Sequence, residues 1–478
     1  MVRDSVYFFA EYPIEFAIWS NLAETILELD QNIRLELIFT KESRINGFNP
    51  EVFLNPFNAV HELDYVSHEM GGSWRQGFTP RNIYHSLTNV FPRARNVYSQ
   101  LKQINFTENS VAFTYLGITL NQGLFLKTVK NRPGVESVLL LSADSTQESS
   151  SLTEYIVNYS QSLLLNFYFH FFGTAYMDVF WARVGESFQT NTREYVFREK
   201  PADYVFQSHY PFRFRNLQSG QVKLPLHLNM ASKNPNVSES IVFIGQPHYF
   251  LGGFTTDVES QFYERINIIL DSIREVHDGQ HLIYKSHPAQ TERQLSRINL
   301  DGFEIVTSGT SEGLFKENQS ISTVYGFSSS SLQTALCYGI RAYYTYKLFD
   351  DILINLPSSV KHNWEIRWNS EYHPEMVLNS LEEWQSGKNI YSVKDISEEV
   401  RLETITLLKR LGINKLTESN ESISEVKALS DQRWETNSSR SSFSYAISVI
   451  LFIPRVVTYL FLIPARSFLS RLRLRHKH

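Results

Sequence analysis

Two separate parts of the sequence alternate short apolar strands with helices, and this alternation constrains the fold more than any other feature. In the first part, residues 6–10 and 35–40 predict strands, and 15–29 predicts a helix because apolar residues recur at helical spacing. A second run of the same kind opens at residues 241–245. Strands that alternate with helices build parallel sheets. The sequence therefore predicts two α/β domains.

Further strands and helices extend both patterns. In the second part, residues 279–283 predict a turn that leads into a short strand. The other predicted strands are 110–115, 137–142, 303–306 and 322–326, and the other predicted helices are 258–277, 332–338 and 398–411.

Length, charge and cysteine content narrow the class of protein. With 478 residues the chain suits two domains of about 200 residues each plus an appendage. A net charge of -5 and a pI of about 6.3 do not indicate a nucleic-acid binder. The single cysteine, Cys337, excludes an internal disulfide framework and a cysteine-rich metal site. It also favours a reducing compartment.

The C-terminal residues differ from the rest in composition. Residues 445–463 are strongly apolar but are interrupted by Pro454 and Arg455, and several arginines follow. A spanning helix needs about 20 mostly apolar residues, and a mid-span arginine is costly there. The pattern favours an amphipathic segment lying in the membrane interface with its basic tail on anionic lipid. A true span and an ordinary packing or partner-binding helix are the alternatives.

These features predict five consecutive segments. A polar stretch separates the two α/β parts, and a serine-rich stretch precedes the apolar tail. The predicted segments are an N-terminal Rossmann-like acceptor domain (1–216), a linker (217–240), a C-terminal Rossmann-like nucleotide-sugar domain (241–414), a polar tether (415–442) and an apolar and basic membrane-associating tail (443–478).

One histidine lies where α/β proteins bind ligands. The segment Lys285-Ser286-His287-Pro288 follows a short apolar strand. Ligands of such folds bind outside the carboxyl ends of the strands. Pro288 ends the strand and restricts the backbone beside His287. Lys285 and His287 are therefore candidates to bind a phosphate. The alternatives are a core histidine and a solvated lysine at the strand end.

Serines and glycines follow two other strands of the second domain. Ser328, Ser329 and Ser330 lie between a strand and a helix, where hydroxyls and backbone N–H groups bind phosphate well. Serine is also simply a good helix cap. Gly245 and Gln246 end another strand and allow a nucleotide to approach the backbone closely, although such glycines are most often turn residues.

Asp144 is the candidate general base. It follows an apolar strand of the first domain, and a carboxylate at a strand end beside a cleft can accept a proton. A turn or helix-cap aspartate is the alternative. The sequence contains no Gly-x-Gly-x-x-Gly fingerprint, no phosphate-binding P-loop, no His-Glu-x-x-His and no Asp-x-Asp metal motif.

Three short motifs resemble those of bacterial sialyltransferases of the two-domain GT-B type, which include lipooligosaccharide sialyltransferases and capsular polysialyltransferases. They are residues 243–247, 284–288 and 328–331. Family members also carry an acidic-acidic-Gly motif in the first domain. Here Asp144 occupies that place, with Ala143 before it and Ser145 after it.

The resemblance implies a GT-B fold, with two Rossmann-like domains facing a cleft, and an inverting transfer that needs no metal and no cofactor. CMP-sialic acid would be the donor, and a surface glycan of capsule or lipooligosaccharide the acceptor. Asp144 would take the acceptor proton, and His287 would bind or protonate the departing phosphate. The donor phosphate and nucleotide would contact Lys285, Pro288, Ser328, Ser329, Ser330, Gly245 and Gln246.

The resemblance also implies a place in the cell, and it leaves other functions open. The chain would be cytoplasmic and peripheral to the inner membrane face, held near a lipid-linked acceptor by its tail. Related motifs occur in transferases that use CMP-Kdo or CDP-glycerol. A catalytically inactive, glycan-binding scaffold of the same fold is a third reading, which the changed acidic motif favours.

Overall fold

The computed structural model has two parallel β-sheets, each covered by helices. This is the α/β arrangement of two Rossmann-like domains that characterises the GT-B fold, so the predicted fold class is confirmed. The structure describes residues 3–41, 48–66, 84, 86–115, 119–141, 172, 177–183, 191–197, 202–209, 223–225, 239–246, 256–287, 290–329, 331–354, 376–385, 402, 404–409 and 411–413.

Seven strands form the first sheet, and every neighbouring pair in it is parallel. Two further strands, β6 and β7, form a separate antiparallel pair. In chain order the strands are β1 (Ser5–Ala10), β2 (Arg34–Thr40), β3 (Ala59–Leu63), β4 (Ser110–Tyr115), β5 (Val135–Leu141), β6 (Met177–Arg183), β7 (Asn191–Phe197), β8 (Tyr204–His209) and β9 (Lys223–Pro225). The spatial order of the sheet is β3-β2-β1-β4-β5-β8-β9.

Helices cover both faces of the first sheet, which is why β1 and β4 are buried along their whole length. Phe8 packs with α1 on one face, whereas Tyr7 and Phe9 pack with α2 and α3 on the other. The Thr119 hydroxyl caps α3 by accepting the Gln122 backbone N–H at 3.1 Å. These helices are α1 (Pro13–Leu29), α2 (Phe91–Gln103) and α3 (Leu120–Lys130).

The second sheet has five parallel strands in the spatial order β12-β11-β10-β13-β14. The strands are β10 (Ser240–Ile244), β11 (His281–Lys285), β12 (Phe303–Val306), β13 (Ile321–Gly326) and β14 (Arg341–Tyr344). The helices are α4 (Thr256–Val276), α5 (Glu292–Leu295), α6 (Ser311–Glu317), α7 (Ser331–Cys337), α8 (Asp350–Leu353) and α9 (Leu381–Gln385), and Pro50–Phe53 and Tyr346–Phe349 are short 3-10 helices.

Side chains of α1 contact the second α/β unit. Lys316 of α6 forms an ion pair with Glu24 at 2.5 Å. The Asn21 amide donates to the Tyr338 hydroxyl at 3.3 Å. At Gly412 the chain lies beside the first domain again, because the Arg3 backbone N–H donates to the Gly412 carbonyl at 3.1 Å. Residues 404–409 are helical, within the predicted helix 398–411.

The predicted strands and helices largely agree with the structure, and the differences have physical causes. The polar stretch 217–240, predicted as a linker, contains β9, which pairs with β8 at the sheet edge. An edge strand can be polar and end in a proline such as Pro225. The sequence pattern also missed β3, whose alternating exposure follows from its place at the opposite edge. It did not predict β6, β7, β8 and β14, nor the helices α2 and α3.

The predicted tail falls outside what the structure describes. The tether 415–442 and the membrane-associating tail 443–478 both lie beyond the described residues. Among the helices that are described, none has the length and apolar character needed to cross a membrane.

Candidate functional site

The second sheet has a topological switch point between β10 and β13. From β10 the chain continues to β11 and β12 on one side, then crosses to β13 and β14 on the other. Ligands of open parallel sheets bind in the crevice at such a point. Gly245 and Gln246 follow β10, and Ser328 follows β13. The Gln246 side-chain oxygen accepts the Ser328 backbone N–H at 3.0 Å, so these two residues meet across the crevice.

Lys285 ends the neighbouring strand β11 with an almost completely buried side chain. Only 2% of its surface is exposed, and its ammonium donates to the Ser286 carbonyl at 3.2 Å. Burial lowers the pKa of Lys285, and the negative charge of Glu312 partly offsets this. Burial likewise raises the pKa of the Glu312 carboxyl, while hydrogen bonds and Lys285 act in the opposite direction. A buried cation therefore lies directly below this edge.

His287 is half-buried and held by its backbone. Its N–H donates to the Gln290 side-chain oxygen at 2.8 Å, and its carbonyl accepts the Gln290 N–H at 2.9 Å. Burial lowers the pKa of the imidazole, and the positive charge of Lys285 lowers that pKa further. His287 is therefore biased toward its neutral form, and a bound anion would favour its protonation.

Gln290 connects this turn to the two central strands. Its side-chain N–H donates to the Tyr284 hydroxyl at 2.9 Å. Gly245 packs against both side chains, because a Cβ at this position would contact the Gln290 side-chain oxygen and lie 2.5 Å from the Tyr284 hydroxyl. The glycine is thus required by close packing.

The serines after β13 offer hydroxyls more than free backbone donors. The Ser328 N–H is already bonded to Gln246, and the Ser331 N–H donates to the Ser329 hydroxyl at 3.2 Å. The helix that follows, α7, has only seven residues. A ligand at this position would therefore rely mainly on the Ser328 and Ser329 hydroxyls.

The structure brings most of the predicted donor-site residues to one edge. Three neighbouring strands end there, and they carry Gly245, Gln246, Lys285, His287, Ser328 and Ser329. The predicted Asp144, Pro288 and Ser330 lie outside the described residues. The catalytic and binding roles of all nine residues stay predictions. In the part of the chain that is described, no group of acidic, histidine or cysteine side chains could hold a metal ion.

Sequence reasoning missed several residues at these edges. Gln290 lies just after the His-Pro pair, and only its contacts reveal its role. The charge of Glu312, in the next strand–helix connection, acts on the pKa of Lys285, which no local pattern reveals. The signal for Glu11 and Glu15 was present, since two acidic residues flank Pro13 directly after an apolar strand.

Comparisons with known proteins add structural likeness only. No family model and no curated protein matches the sequence. UDP-GlcNAc 2-epimerase from Methanocaldococcus jannaschii is 10% identical, with 84% of this chain and 99% of that chain covered and a TM-score of 0.40. Phytolacca americana UGT2, complexed with UDP-2fluoro-glucose and pterostilbene, is 11% identical, with 90% and 99% covered and a TM-score of 0.37.

MurG from Acinetobacter baumannii is 10% identical, with 89% of this chain and 99% of that chain covered and a TM-score of 0.29. All three scores are below 0.5. The fold therefore rests on the chain's own sheet topology, and no substrate or residue role is transferred from these structures.

Proposed function

We propose that this chain is an inverting glycosyltransferase that uses a nucleotide-activated sugar. The observation that carries the proposal is the meeting of a buried cation, a histidine and serine hydroxyls at the switch point of the second sheet. Lys285, His287 and Ser328 belong to the ends of two strands that flank β10 on either side. Positive charge and hydroxyl donors suit the phosphate of a donor nucleotide.

In the proposed reaction, one set of residues acts on the leaving group and Asp144 acts on the acceptor. As the bond from the anomeric carbon to the phosphate oxygen breaks, its electron pair leaves with the phosphate. Lys285 and the hydroxyls of Ser328 and Ser329 stabilise that charge. His287 donates a hydrogen bond or a proton to it. Asp144 takes the proton of the attacking acceptor hydroxyl, which completes the transfer without a metal.

For the donor we propose CMP-sialic acid, and for the acceptor a surface glycan of capsule or lipooligosaccharide. The support is the resemblance of the motifs around Gly245, His287 and Ser328 to bacterial sialyltransferases. CMP-Kdo also carries the phosphodiester of CMP, and CDP-glycerol is a diphosphate of the same nucleoside, so both belong in the same test.

The test is a donor screen with purified full-length protein, following nucleotide release with and without glycan acceptors. We expect release from CMP-sialic acid, and its loss in His287→Ala. His281→Ala is a matched control, because His281 begins the same strand and pairs with Glu304 at its opposite end. If nucleotide is released from CMP-Kdo or CDP-glycerol instead, that compound replaces CMP-sialic acid as the donor. Glycan binding with no release from any donor would favour the inactive scaffold.

We also propose that the tail 443–478 holds the enzyme at the inner face of the cell membrane. The support is its apolar composition followed by arginines. Sedimentation with vesicles containing anionic lipid tests this. The full chain should sediment with anionic vesicles but not with neutral ones, and a chain ending at residue 442 should stay in solution. Equal sedimentation of both chains would contradict it.

A further inference from the structure

A pair of buried carboxylates lies at the carboxyl edge of the first sheet. Glu11 follows β1 directly and is 4% exposed, and Glu15 in the first turn of α1 is completely buried. The Glu11 backbone N–H donates to the Glu15 carboxylate at 2.7 Å. Burial raises the pKa of Glu15 well above its usual range, and the Glu11 charge raises it further. Two acidic groups buried side by side are costly for the fold.

Side chains at the start of α3 fix this pair. The Asn121 amide donates to Glu11 at 3.0 Å, and the Thr119 hydroxyl donates to the other oxygen of the same carboxylate. The Gln122 amide donates to Glu15 at 3.0 Å. Because these donors belong to a capped helix, the Glu11 carboxylate has a defined orientation on the face of the sheet that α3 covers.

The pair occupies the switch point of its own sheet. From β1 the chain continues to β2 and β3 on one side, then crosses to β4 and β5 on the other. Glu11 follows β1, and Thr119 and Asn121 belong to the connection after β4. This is the same topological position that Gln246 and Ser328 occupy in the second sheet, and it is where open parallel sheets bind ligands.

Two buried hydroxyls beside the pair provide a second, independent observation. Thr40 ends β2 and Thr114 lies near the end of β4, and both are completely buried. Neither hydroxyl has a hydrogen-bond partner among the described residues. Thr40, Thr114 and Glu11 each lie two residues after a side chain that packs on the face covered by α3. Because residues two apart along a strand point to the same face, all three share that face on adjacent strands.

A buried hydroxyl without a partner costs free energy that a bound polar group can recover. The position of Thr40 is level with that of Glu11, one residue beyond the last paired position of β1 and β2. Thr114 pairs in register with Phe9 on the other side of β1. One unsatisfied hydroxyl is therefore level with Glu11, and the other lies on the opposite side of β1, level with the residue two positions before Glu11.

We propose that Glu11, Thr40 and Thr114 form a subsite that binds the hydroxyl groups of the acceptor glycan. The inference rests on the proposed function, in which the first domain binds the acceptor, and it names the residues of that domain that contact the glycan. The carboxylate accepts hydrogen bonds from sugar hydroxyls, and the threonine hydroxyls donate to or accept from them. A site of this kind accepts hydrogen bonds from the hydroxyl groups of a glycan and disfavours the phosphate of the donor.

The sharpest test replaces the two threonines by valine, which keeps their shape and removes the hydroxyls. In the free protein, Thr40→Val and Thr114→Val should leave the thermal unfolding midpoint unchanged or raise it, since no hydrogen bond within the described structure is lost. Thr128→Val is the control, because the Thr128 hydroxyl already donates to the Leu124 carbonyl at 2.8 Å. It should lower the midpoint and leave glycan binding unchanged.

Binding is measured by calorimetry on the full-length protein with lactose and with a trimer of sialic acid, without donor. We expect each threonine variant to weaken glycan binding about fivefold, and Glu11→Gln to weaken it about tenfold or more. Glu36→Gln is the matched control, since Glu36 is equally buried but pairs with Arg34 and His61 on β2 and β3. This control should bind glycan like the unaltered protein.

Donor binding, measured on the same samples, separates the two proposals. Loss of glycan binding with normal binding of CMP-sialic acid supports the subsite. A protein that binds no donor but shows the expected glycan losses would overturn the proposed function and leave the subsite standing. Unchanged glycan affinity in all three variants, or no affinity of the unaltered protein for either glycan, overturns the subsite.

Discussion

The side chain of Gln290 closes the turn that carries His287. Its oxygen accepts the His287 N–H at 2.8 Å, while its own backbone N–H donates to the His287 carbonyl at 2.9 Å. The amide nitrogen is held in turn by Tyr284 at 2.9 Å, on a strand that is almost completely buried. The position of the histidine is therefore set by the core of the second sheet, through one amide side chain.

Gln290→Ala should misplace His287 without removing it. We expect kcat/KM for nucleotide release to fall about tenfold to a hundredfold, because small displacements of a catalytic group cost that much. Its pH profile should shift as well, since the pKa of His287 depends on its surroundings. Gln294→Ala is the matched control. Gln294 makes a similar side-chain bond to the Thr291 N–H at 2.9 Å, away from the site. Unchanged kinetics in Gln290→Ala would refute the positioning role.

Gly245→Ala should destabilise the protein by about 1–3 kcal/mol, because the added methyl group meets Gln290 and Tyr284 where there is no room. Gly313→Ala provides the comparison within a helix, since its methyl group would have only an ordinary contact of 3.5 Å with Thr310. That variant should be neutral or more stable by up to about 1 kcal/mol. Thermal unfolding of both variants checks the pair. Equal midpoints would mean that the packing around Gly245 can relax.

Strand periodicity predicted β1, β2, β4 and β5 of the first sheet and β10 to β13 of the second, because buried parallel strands are largely apolar runs. Residues 110–115 match the fully buried β4 in both bounds. The edge strands β3 and β9 contain more polar residues, so their sequences resemble loops. A strand was thus predictable from the sequence where it is buried, and not where only its hydrogen bonds to a neighbouring strand define it.

The candidate site was predictable only in part. His287 was found because a His-Pro pair after an apolar strand is a local signal. Gln290 was not, because its role depends on contacts with Tyr284 and Gly245 from two different strands. Thr40 and Thr114 carry no signal at all until the sheet register places them on either side of Glu11.

Lys285→Met should separate stability from binding. Burial lowers the pKa of Lys285 and raises the pKa of Glu312. The attraction between the two charges has the opposite effect on each pKa, but it is the smaller effect. Removing the buried charge should therefore leave the unfolding midpoint unchanged or raise it, while donor affinity falls about tenfold or more. Lys347→Met is the control, because Lys347 is more exposed and lies 3.7 Å from Asp350. A clearly lower midpoint in Lys285→Met would mean that the favourable interactions of the Lys285 ammonium outweigh the cost of its burial.

The electrostatic interaction between Lys285 and Glu312 can be tested from either residue. Glu312→Gln should leave Lys285 as a buried cation without its neighbouring negative charge. Its pKa should then fall further, since Glu312 is the group that raises it. The double variant Lys285→Met with Glu312→Gln should restore the midpoint lost in Glu312→Gln. Additive effects of the two changes, measured by thermal unfolding, would show that the two charges do not interact.

His287 should take up a proton when the donor binds. In the free protein its pKa lies below the ordinary value of 6.5, so near that pH the imidazole is mostly neutral. A phosphate bound beside it favours the charged form and raises the pKa. The phosphodiester of a CMP-sugar does not itself titrate near neutral pH, so proton uptake reports on the protein.

The measurement is calorimetry near pH 6.5 in two buffers of different ionisation enthalpy, with a fluorinated CMP-sialic acid that resists hydrolysis. His281→Gln should keep the uptake, and His287→Gln should lose it. The same pKa shift makes the folded state bind fewer protons than the unfolded state between the lowered pKa and about 6.5. The free energy of unfolding should therefore rise with pH across that interval, and this rise should disappear in His287→Gln. Equal uptake by both variants would assign the proton to another group.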